Sequence, residues 1–409
     1  MKKPSLLIIF LTVFIDLVGF GLILPLLPIY AKDFGAGAVM IGGLMSAYSL
    51  MQFLFAPVWG RLSDRVGRRP ILLLSTAGAA VSYAVFALAA GTKGNLGLAL
   101  LFGSRVFAGI CGANITVAQA YIADITPPED RSKRMGLVGM AFGLGFIFGP
   151  VLGGLTLSYF GLPGPGWTAC VLCAANFFLA LAILPESLKP GSEHAAQRPH
   201  LAQWGHTLGR PGIGMLVAVF FLATFCFACF ETTIGLLIQK TFSFDLAKNP
   251  ATAGKTVAYL IAYCGIVGAL VQGGAIGRLV KKLGEAKLIA FSMIMAGVGL
   301  ALLPWAANWP LLLVGLGVFS IGSSLTRPPV FGMLSNLADP REQGATIGVA
   351  QSAGSLARIF GPIFATTLFF QNPVFPYVSC AVLCVLTGVY AIFYLSNPVI
   401  AAKAVQPAS

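Results

Sequence analysis

The chain has 409 residues, of which 57% are hydrophobic and only 10% charged, with a formal net charge of +13. Soluble domains are about a quarter charged, so a soluble globular core is excluded in favour of a polytopic membrane protein. The excess of base does not point to nucleic acid, because the basic residues are split among short loops between apolar runs, where they set topology.

The apolar runs predict twelve membrane helices, at about residues 5–31, 39–60, 71–92, 96–124, 133–160, 166–185, 211–240, 252–277, 286–306, 309–336, 343–370 and 373–396. The first follows Lys2 and Lys3 like a signal peptide. No small-residue cleavage site follows and the apolar run continues to Tyr30, so an uncleaved span is expected. This span carries Asp16, and Gly19, Gly21, Pro25 and Pro28 let its outer part bend. The second closes on GRLSDRVGRRP (60–70), whose glycines are expected to permit a tight turn. Arg105 lies in the fourth span. In the fifth, Ala141, Gly145, Gly149 and Gly153 recur every four residues and leave one face nearly bare, suited to helix packing beside a bend at Pro150. Between the sixth and seventh spans lies the only long polar segment, PESLKPGSEHAAQRPHLAQWGHTLGRP, which holds all three histidines, His194, His200 and His206.

Glu231 sits in the seventh span between Phe227, Phe230 and a further apolar run, Arg327 in the tenth and Arg358 in the eleventh. Each membrane charge costs about 2.5–3.5 kcal/mol at the bilayer centre on insertion scales, so each is a functional candidate. Asn114, Gln119, Gln272 and Gln351 are polar at membrane depth and read first as contacts between helices. The eight cysteines all fall in apolar runs. Pairs such as Cys170 and Cys173 have a CxxC look, but a zinc site needs clustered ligands in a polar shell. No metal and no cofactor is expected. There is also no phosphate-binding Gly-rich loop, HExxH or nucleophile elbow, so the chain does not read as an enzyme.

With both termini and the linker in the cytoplasm, the inner loops hold most of the basic residues and the outer side only Lys32, Lys93, Lys240, Lys248 and Lys255. The two halves repeat. PPEDRSKRMGLVGMAFGLGFIFGP (127–150) parallels DPREQGATIGVAQSAGSLARIFGP (339–362), and GRLSDRVG (60–67) parallels GRLVKKLG (277–284). Two matches at corresponding places indicate a duplicated six-helix unit. The expected organisation is a six-helix bundle over 1–185, a linker over 186–210, a second bundle over 211–398 and a tail over 399–409. The fold class is therefore all-α, with twelve transmembrane helices in two pseudo-symmetric bundles.

The 60–70 loop resembles the signature loop of the major facilitator superfamily, SRVFAGICGANITVAQAYIAD (104–124) its fourth-helix motif, and GLGFIFGPVLGG (143–154) the fifth-helix motif of its antiporters. DLVGFGLILPLLPIY and AYSLMQFLFAPVWGRLSDRVGRRPILLLS (47–75) resemble tetracycline-type drug:proton exporters. The superfamily resemblance covers the whole chain; the likeness to tetracycline exporters is close only in the N-terminal half. It implies that the first, fourth, seventh and tenth helices line a central cavity. It also implies that Gly145, Gly149, Pro150, Gly153 and Gly154 form an antiporter seam. Asp64 reads either as a solvated loop charge or, by resemblance, as a latch on the N-terminus of the eleventh helix near Glu342 to Ala345. The latch group comprises Gly60, Asp64, Arg65, Gly67, Arg68 and Arg69, with Asp124 as a partner for Arg65 or Arg68. Lys281 stands where the second copy would have Asp64.

Desolvation makes an acid at mid-span easy to protonate near neutral pH, so Asp16 and Glu231 are the candidates for proton coupling. Phe20, Arg105, Asn114, Phe227, Phe230, Arg327, Gln351 and Arg358 are the candidates for the substrate cavity. Arg105 reads as an ion-pair partner of Asp16, as a protonation sensor or as a site for an anionic group. Arg327 reads as an anion site or as a gate residue. Tetracycline exporters have a membrane histidine in the eighth helix and an aspartate in the ninth; here Gly268 aligns with the histidine and neither span carries an acid. The expected function is proton-coupled export of a small amphipathic compound, drug- or tetracycline-like, by a monomer in a bacterial inner membrane. A metabolite or sugar symporter or facilitator is the alternative, and a receptor or scaffold that does not transport is the second.

Overall fold

The structure is a computed structural model and describes residues 6–23, 38–92, 94–112, 114–188, 200–241, 250–339 and 342–395. The expected bend at Pro25 and Pro28, the linker stretch 189–199, the tail 399–409 and the loop charges Lys2, Lys3, Lys32, Lys93, Lys189, Arg198, Lys248, Arg341 and Lys403 lie outside the described residues.

Among the described residues the regular structure is wholly helical. In chain order the long helices are α1 (Leu6–Ile23), α2 (Ala38–Val66), α3 (Arg68–Ala90), α4 (Gly94–Cys111), α5 (Asn114–Asp124), α6 (Arg131–Phe160), α7 (Pro163–Ile183) and α8 (His200–Gly209). They continue as α9 (Ile213–Thr241), α10 (Pro250–Leu270), α11 (Ile276–Leu283), α12 (Glu285–Leu302), α13 (Trp309–Leu337), α14 (Gln343–Gln371) and α15 (Phe375–Leu395). Eleven described spans are long and apolar enough to cross a membrane, two of them joining consecutive helices, α4 with α5 and α10 with α11. The remaining membrane-length helix, α2, has 29 residues and is largely apolar up to Trp59.

Local chemistry shaped these elements differently from the expectation at four places. The fourth span is two helices, interrupted after Cys111. The eighth is broken by a π-helical turn at Val271–Ala275, a form often found at functional sites. The polar linker contains a ten-residue helix, α8. The tight turn expected from the glycines of 60–70 falls at Gly67, at φ 107°, while α2 stays helical past Gly60 through Val66.

The chain forms two compact units. One comprises Met1–Pro127, Ala141–His206 and Ala338–Ser355; the other comprises Pro128–Met140, Thr207–Leu337 and Leu356–Ser409. In the first, α3 packs on α4 and α7, and α1 packs on α7, around Leu22, Leu44, Phe86, Leu101 and Cys173. In the second, α12 lies between α13 and α15. Small residues permit the close approach there: a Cβ at Gly299 would collide with the Phe319 backbone, and one at Gly388 would meet the Ala290 carbonyl at 2.9 Å.

Candidate functional site

In the first unit, a buried cluster of charge surrounds the α2–α3 turn. Arg68 is fully buried. Its Nη1 donates to Asp64 Oδ1 at 2.5 Å and Ser63 Oγ at 2.8 Å, and its Nε donates to Asp124 Oδ2 at 3.0 Å. A desolvated guanidinium is tolerable only with such charge-assisted partners. Asp64 in turn accepts the backbone N–H of Gly344 at 3.0 Å and of Ala345 at 2.9 Å, at the start of α14. Both amides are among those a helix start leaves unsatisfied, and the helix dipole favours an anion there. Burial pushes the Asp64 carboxyl above its ordinary value, against the pull of Arg68 and the two amides. Gly60 serves this contact by its bareness, since a Cβ there would run into the Gly344 carbonyl. Arg69 donates from Nη2 to the Leu181 carbonyl at 2.8 Å, while Arg65 is exposed.

Ser63, Tyr121, Glu186 and Ser187 of this cluster were missed by sequence reasoning. Gly67 offers no side chain to cap α3, and the cap comes from Glu186, which accepts the N–H of Arg68 at 2.8 Å and of Arg69 at 3.1 Å. Beside it, Ser187 Oγ donates to Asp124 Oδ2 at 2.9 Å, and Tyr121 OH donates to the Pro185 carbonyl at 3.1 Å. The signal was the PES sequence directly after an apolar run, but its partners lie 63 to 118 residues away in sequence.

Deeper in the same unit, Asp16 is half-buried, with Cys173 Sγ 4.0 Å from its Oδ1. Gly19, one turn on, is bare where Cys173 and Tyr83 press against α1, at 3.3 and 3.4 Å from where its Cβ would stand. Arg105 is buried. Its guanidinium lies over the rings of Phe86 at 5.1 Å and Tyr83 at 5.6 Å, while its Nε and one Nη hydrogen-bond to nothing. The ion pair with Asp16 is not formed; aromatic faces occupy the guanidinium instead. Phe20 packs on Tyr48 at 5.1 Å. Gln351 donates to Gln119 at 2.7 Å, a buried contact between helices. Asn114 opens α5, and its side chain is outside the described residues.

The antiporter-like face of α6 meets α1. A Cβ on Gly145 would stand 2.9 Å from Leu17 Cβ, and Gly21 is equally bare, 2.7 Å from the Gly145 carbonyl. Gly149 lies against the Gly21–Leu22 backbone, Gly153 is buried and α6 runs unbroken through Pro150. Among the described residues, nothing lies within 4 Å of where a Cβ on Gly154 would stand. Five residues along a helix is about 140° beyond a full turn, so Gly154 stands on a different side of α6 from Gly149.

In the second unit, Glu231 is accessible at its surface although protein encloses its position in α9. Arg358 on α14 supplies the opposing charge that acts on it, and the same Arg358 repels Arg327 on α13. Arg327 lies over Phe220 at 5.4 Å and Phe331 at 5.8 Å. Phe227 is exposed and Phe230 buried; both pack on Phe319, at 6.0 and 4.4 Å. An acid, two arginines and an aromatic wall thus share one unit. Gly268, at the place of the tetracycline exporters' histidine, is cramped, with Ser324 Oγ 2.8 Å from where its Cβ would stand. Its neighbour one turn on, Gln272, donates to the Ser324 carbonyl at 3.0 Å.

A helical membrane chain with charge clustered at helix ends and charged groups inside its spans is a polytopic transporter in class. The chain belongs to the Major Facilitator Superfamily, whose profile matches residues 9–288 and 274–409. It is 35% identical over 378 residues to the class C tetracycline resistance protein of Escherichia coli, covering 90% of this chain and 91% of that protein. It is 30% identical over 419 residues to major facilitator superfamily domain-containing protein 10 of Mus musculus, covering 90% and 88%. The crystal structure of the human organic anion transporter MFSD10 matches with a TM-score of 0.81 and 25% identity, covering 95% of this chain and all of that one. The protein is therefore a multi-pass membrane transporter of a small molecule, with the all-α major facilitator fold.

Proposed function

We propose that the protein exports a small amphipathic compound in exchange for protons, by alternating access. The observation that carries this is Glu231, accessible yet enclosed by protein, with Arg358 as its charge partner and Phe227 and Phe230 beside it. An outside proton neutralises Glu231 or Asp16 as substrate leaves; binding of the next substrate favours release of that proton inward. One charge moved through 100 mV supplies about 2.3 kcal/mol, enough for about a fiftyfold gradient of a neutral solute. The kinship with tetracycline resistance proteins supports export. The basic inner loops support cytoplasmic termini and linker, and the short loops suit a bacterial inner membrane. The transporter works as a monomer, since one chain carries both repeats. The Asp64 contact with α14 then acts as the latch of the cytoplasmic side.

A second reading, transport of an organic anion, is favoured by one observation. Arg327 and Arg358 are close enough to repel each other, and Glu231 is the acid acting on Arg358. The relative whose structure is the human organic anion transporter MFSD10 fits this reading.

The test uses inside-acid proteoliposomes with a pH dye, screened with neutral, cationic and anionic amphipathic compounds. Exchange predicts compound-induced loss of the gradient that disappears in Glu231→Gln or Asp16→Asn. Uptake with no proton movement, or persistence of proton movement in both variants, overturns it. Responses restricted to anions and lost in Arg358→Gln select the second reading.

A further inference from the structure

The linker helix α8 is seated on the unit that contains the latch, and the function proposed above makes no use of it. Its buried face is formed by Gln203 and Thr207, with Trp204 against Phe53 of α2 at 5.8 Å between ring centroids. Ala202, Gly205, Leu208 and Gly209 face outward. On the seated side, His206 Nδ1 lies 3.7 Å from Glu342 Oε2. The Glu342 side chain is 7% exposed and that of His206 31%, so the acid is buried while protons still reach the imidazole. Glu342 stands two residues before Gly344, and its own N–H donates to the Asp339 carbonyl at 2.9 Å. Whatever holds Glu342 therefore holds the amides that Asp64 accepts.

We propose that α8 is a proton-dependent clamp on this latch: charged His206 ties the linker to Glu342 and keeps the start of α14 on Asp64. Imidazole is the side chain whose ordinary titration, near 6.5, falls in the physiological range, and a neighbouring carboxylate favours its charged form. Neutral His206 loses the ion pair with Glu342, which weakens the seat. Among the described residues, the other titratable or charged groups on the surrounding segments are His200 at the start of α8, Asp339 ahead of Glu342, Arg61, Asp64 and Arg65 at the end of α2, and Arg210 following α8. Glu342 is the one 3.7 Å from the ring. With the linker in the cytoplasm, as the proposed function has it, cytoplasmic acid slows release of the latch and limits proton entry. The clamp itself requires neither that orientation nor transport.

The test needs no substrate, so its failure is distinct from failure of the proposed function. In full-length protein, Trp59, Trp167, Trp305 and Trp309 are replaced by Phe, leaving Trp204 as reporter. Collisional quenching of Trp204 should rise severalfold between pH 5.5 and 8.5 in one titration. His206→Gln should quench at the high level throughout, His206→Lys at the low level throughout, and Glu342→Gln should flatten the curve. In parallel, amide exchange of the Glu342–Ala350 segment, corrected for intrinsic rates, should be severalfold slower in wild type than in His206→Gln at pH 6 and equal at pH 8. A Trp204 titration that persists in His206→Gln overturns the proposal. So does equal protection of the latch amides at pH 6 in the two proteins, because the clamp would then not reach the latch. A flat wild-type profile also overturns it.

Discussion

The α2–α14 contact and its counterpart in the second repeat share part of their packing and differ in charge. In the first, Gly60 and Gly348 let backbones touch: a Cβ on Gly348 would meet the Ala56 carbonyl at 2.7 Å. Asp64 then adds charge to the helix start at Gly344 and Ala345. In the second, Gly136 is the counterpart of Gly348, and a Cβ there would stand 2.9 Å from the Gln272 carbonyl. The glycine packing is thus duplicated at Gly348 and Gly136, but not at Gly60, whose counterpart Gly277 meets the Lys133 side chain instead of backbone. The charge is not duplicated, because Lys281 occupies the place of Asp64 and is exposed. A cation gains nothing from a helix N-terminus. There, Arg131 fastens the start of α6 instead, donating to the Ser335 carbonyl at 3.0 Å and to Asn336 Oδ1 at 3.1 Å. Close packing at Gly348 and Gly136 is common to both repeats, and the carboxylate at a helix start is found in one of them.

The largest effect should come from making the first repeat resemble the second. Asp64→Lys sets a cation against buried Arg68 and removes the acceptor of two amides. Breaking a buried ion pair costs about 3–5 kcal/mol, read as lowered stability to unfolding in detergent and fast exchange at Gly344 and Ala345. A loss below about 1 kcal/mol would mean that Asp124 alone satisfies Arg68. Next comes Gly60→Ala, which forces a Cβ into the Gly344 backbone; overpacking of this kind costs about 1–3 kcal/mol. Its counterpart, Gly277→Ala, meets only the flexible side chain of Lys133, at 2.8 Å, and should leave the unfolding temperature nearly unchanged. Equal losses in the two would erase the distinction drawn between rigid and yielding contacts.

Much of this was legible in the sequence because lipid imposes a crude code: long apolar runs, sparse charge and basic loops. The duplication was legible because two separate motifs recur in register. What escaped had short-range signals too weak to read. The helix α8 is ten residues of mixed polarity inside a linker, and its order comes from Trp204 and Gln203 packing on distant segments. Gly60 looked like a turn residue because glycine serves turns and close approaches alike. Asp16 and Arg105 were natural partners by charge, yet burial gave the guanidinium two aromatic faces. Glu186 stood unremarked in the polar linker, because a helix cap supplied from a distant loop leaves no local pattern.

That distant cap gives the third contrast. Glu186→Ala uncaps the first turn of α3, and loss of an N-cap costs about 0.5–2 kcal/mol. The start of α12, the corresponding helix of the second repeat, follows Gly284 at φ 76° with no side-chain cap. Amide exchange at Arg68 and Arg69 should therefore accelerate in the variant towards the rate found at the start of α12. Unchanged exchange would mean that the buried Arg68 network, not Glu186, fixes the turn.

The smallest effect is the reverse exchange, Lys281→Asp. By the repeat, position 281 corresponds to Asp64, and Ser132 and Lys133 correspond to Gly344 and Ala345. An aspartate there should remove a repulsion and offer an acceptor to a helix start, worth about 0.3–1 kcal/mol at an exposed site. The gain belongs at the lower end, because Lys281 is exposed and Lys133 already lies over Gly277. Arg131 also fastens the same helix start by other bonds. Exchange at Ser132 and Lys133 is the sensitive readout, since global unfolding would barely register so small a change. Slower exchange in Lys281→Asp but not in Lys281→Asn would show that charge is all the second repeat lacks for a latch. If neither variant slows it, the duplicated sequences keep their register without keeping this geometry, and the first repeat's latch depends on more than one well-placed acid.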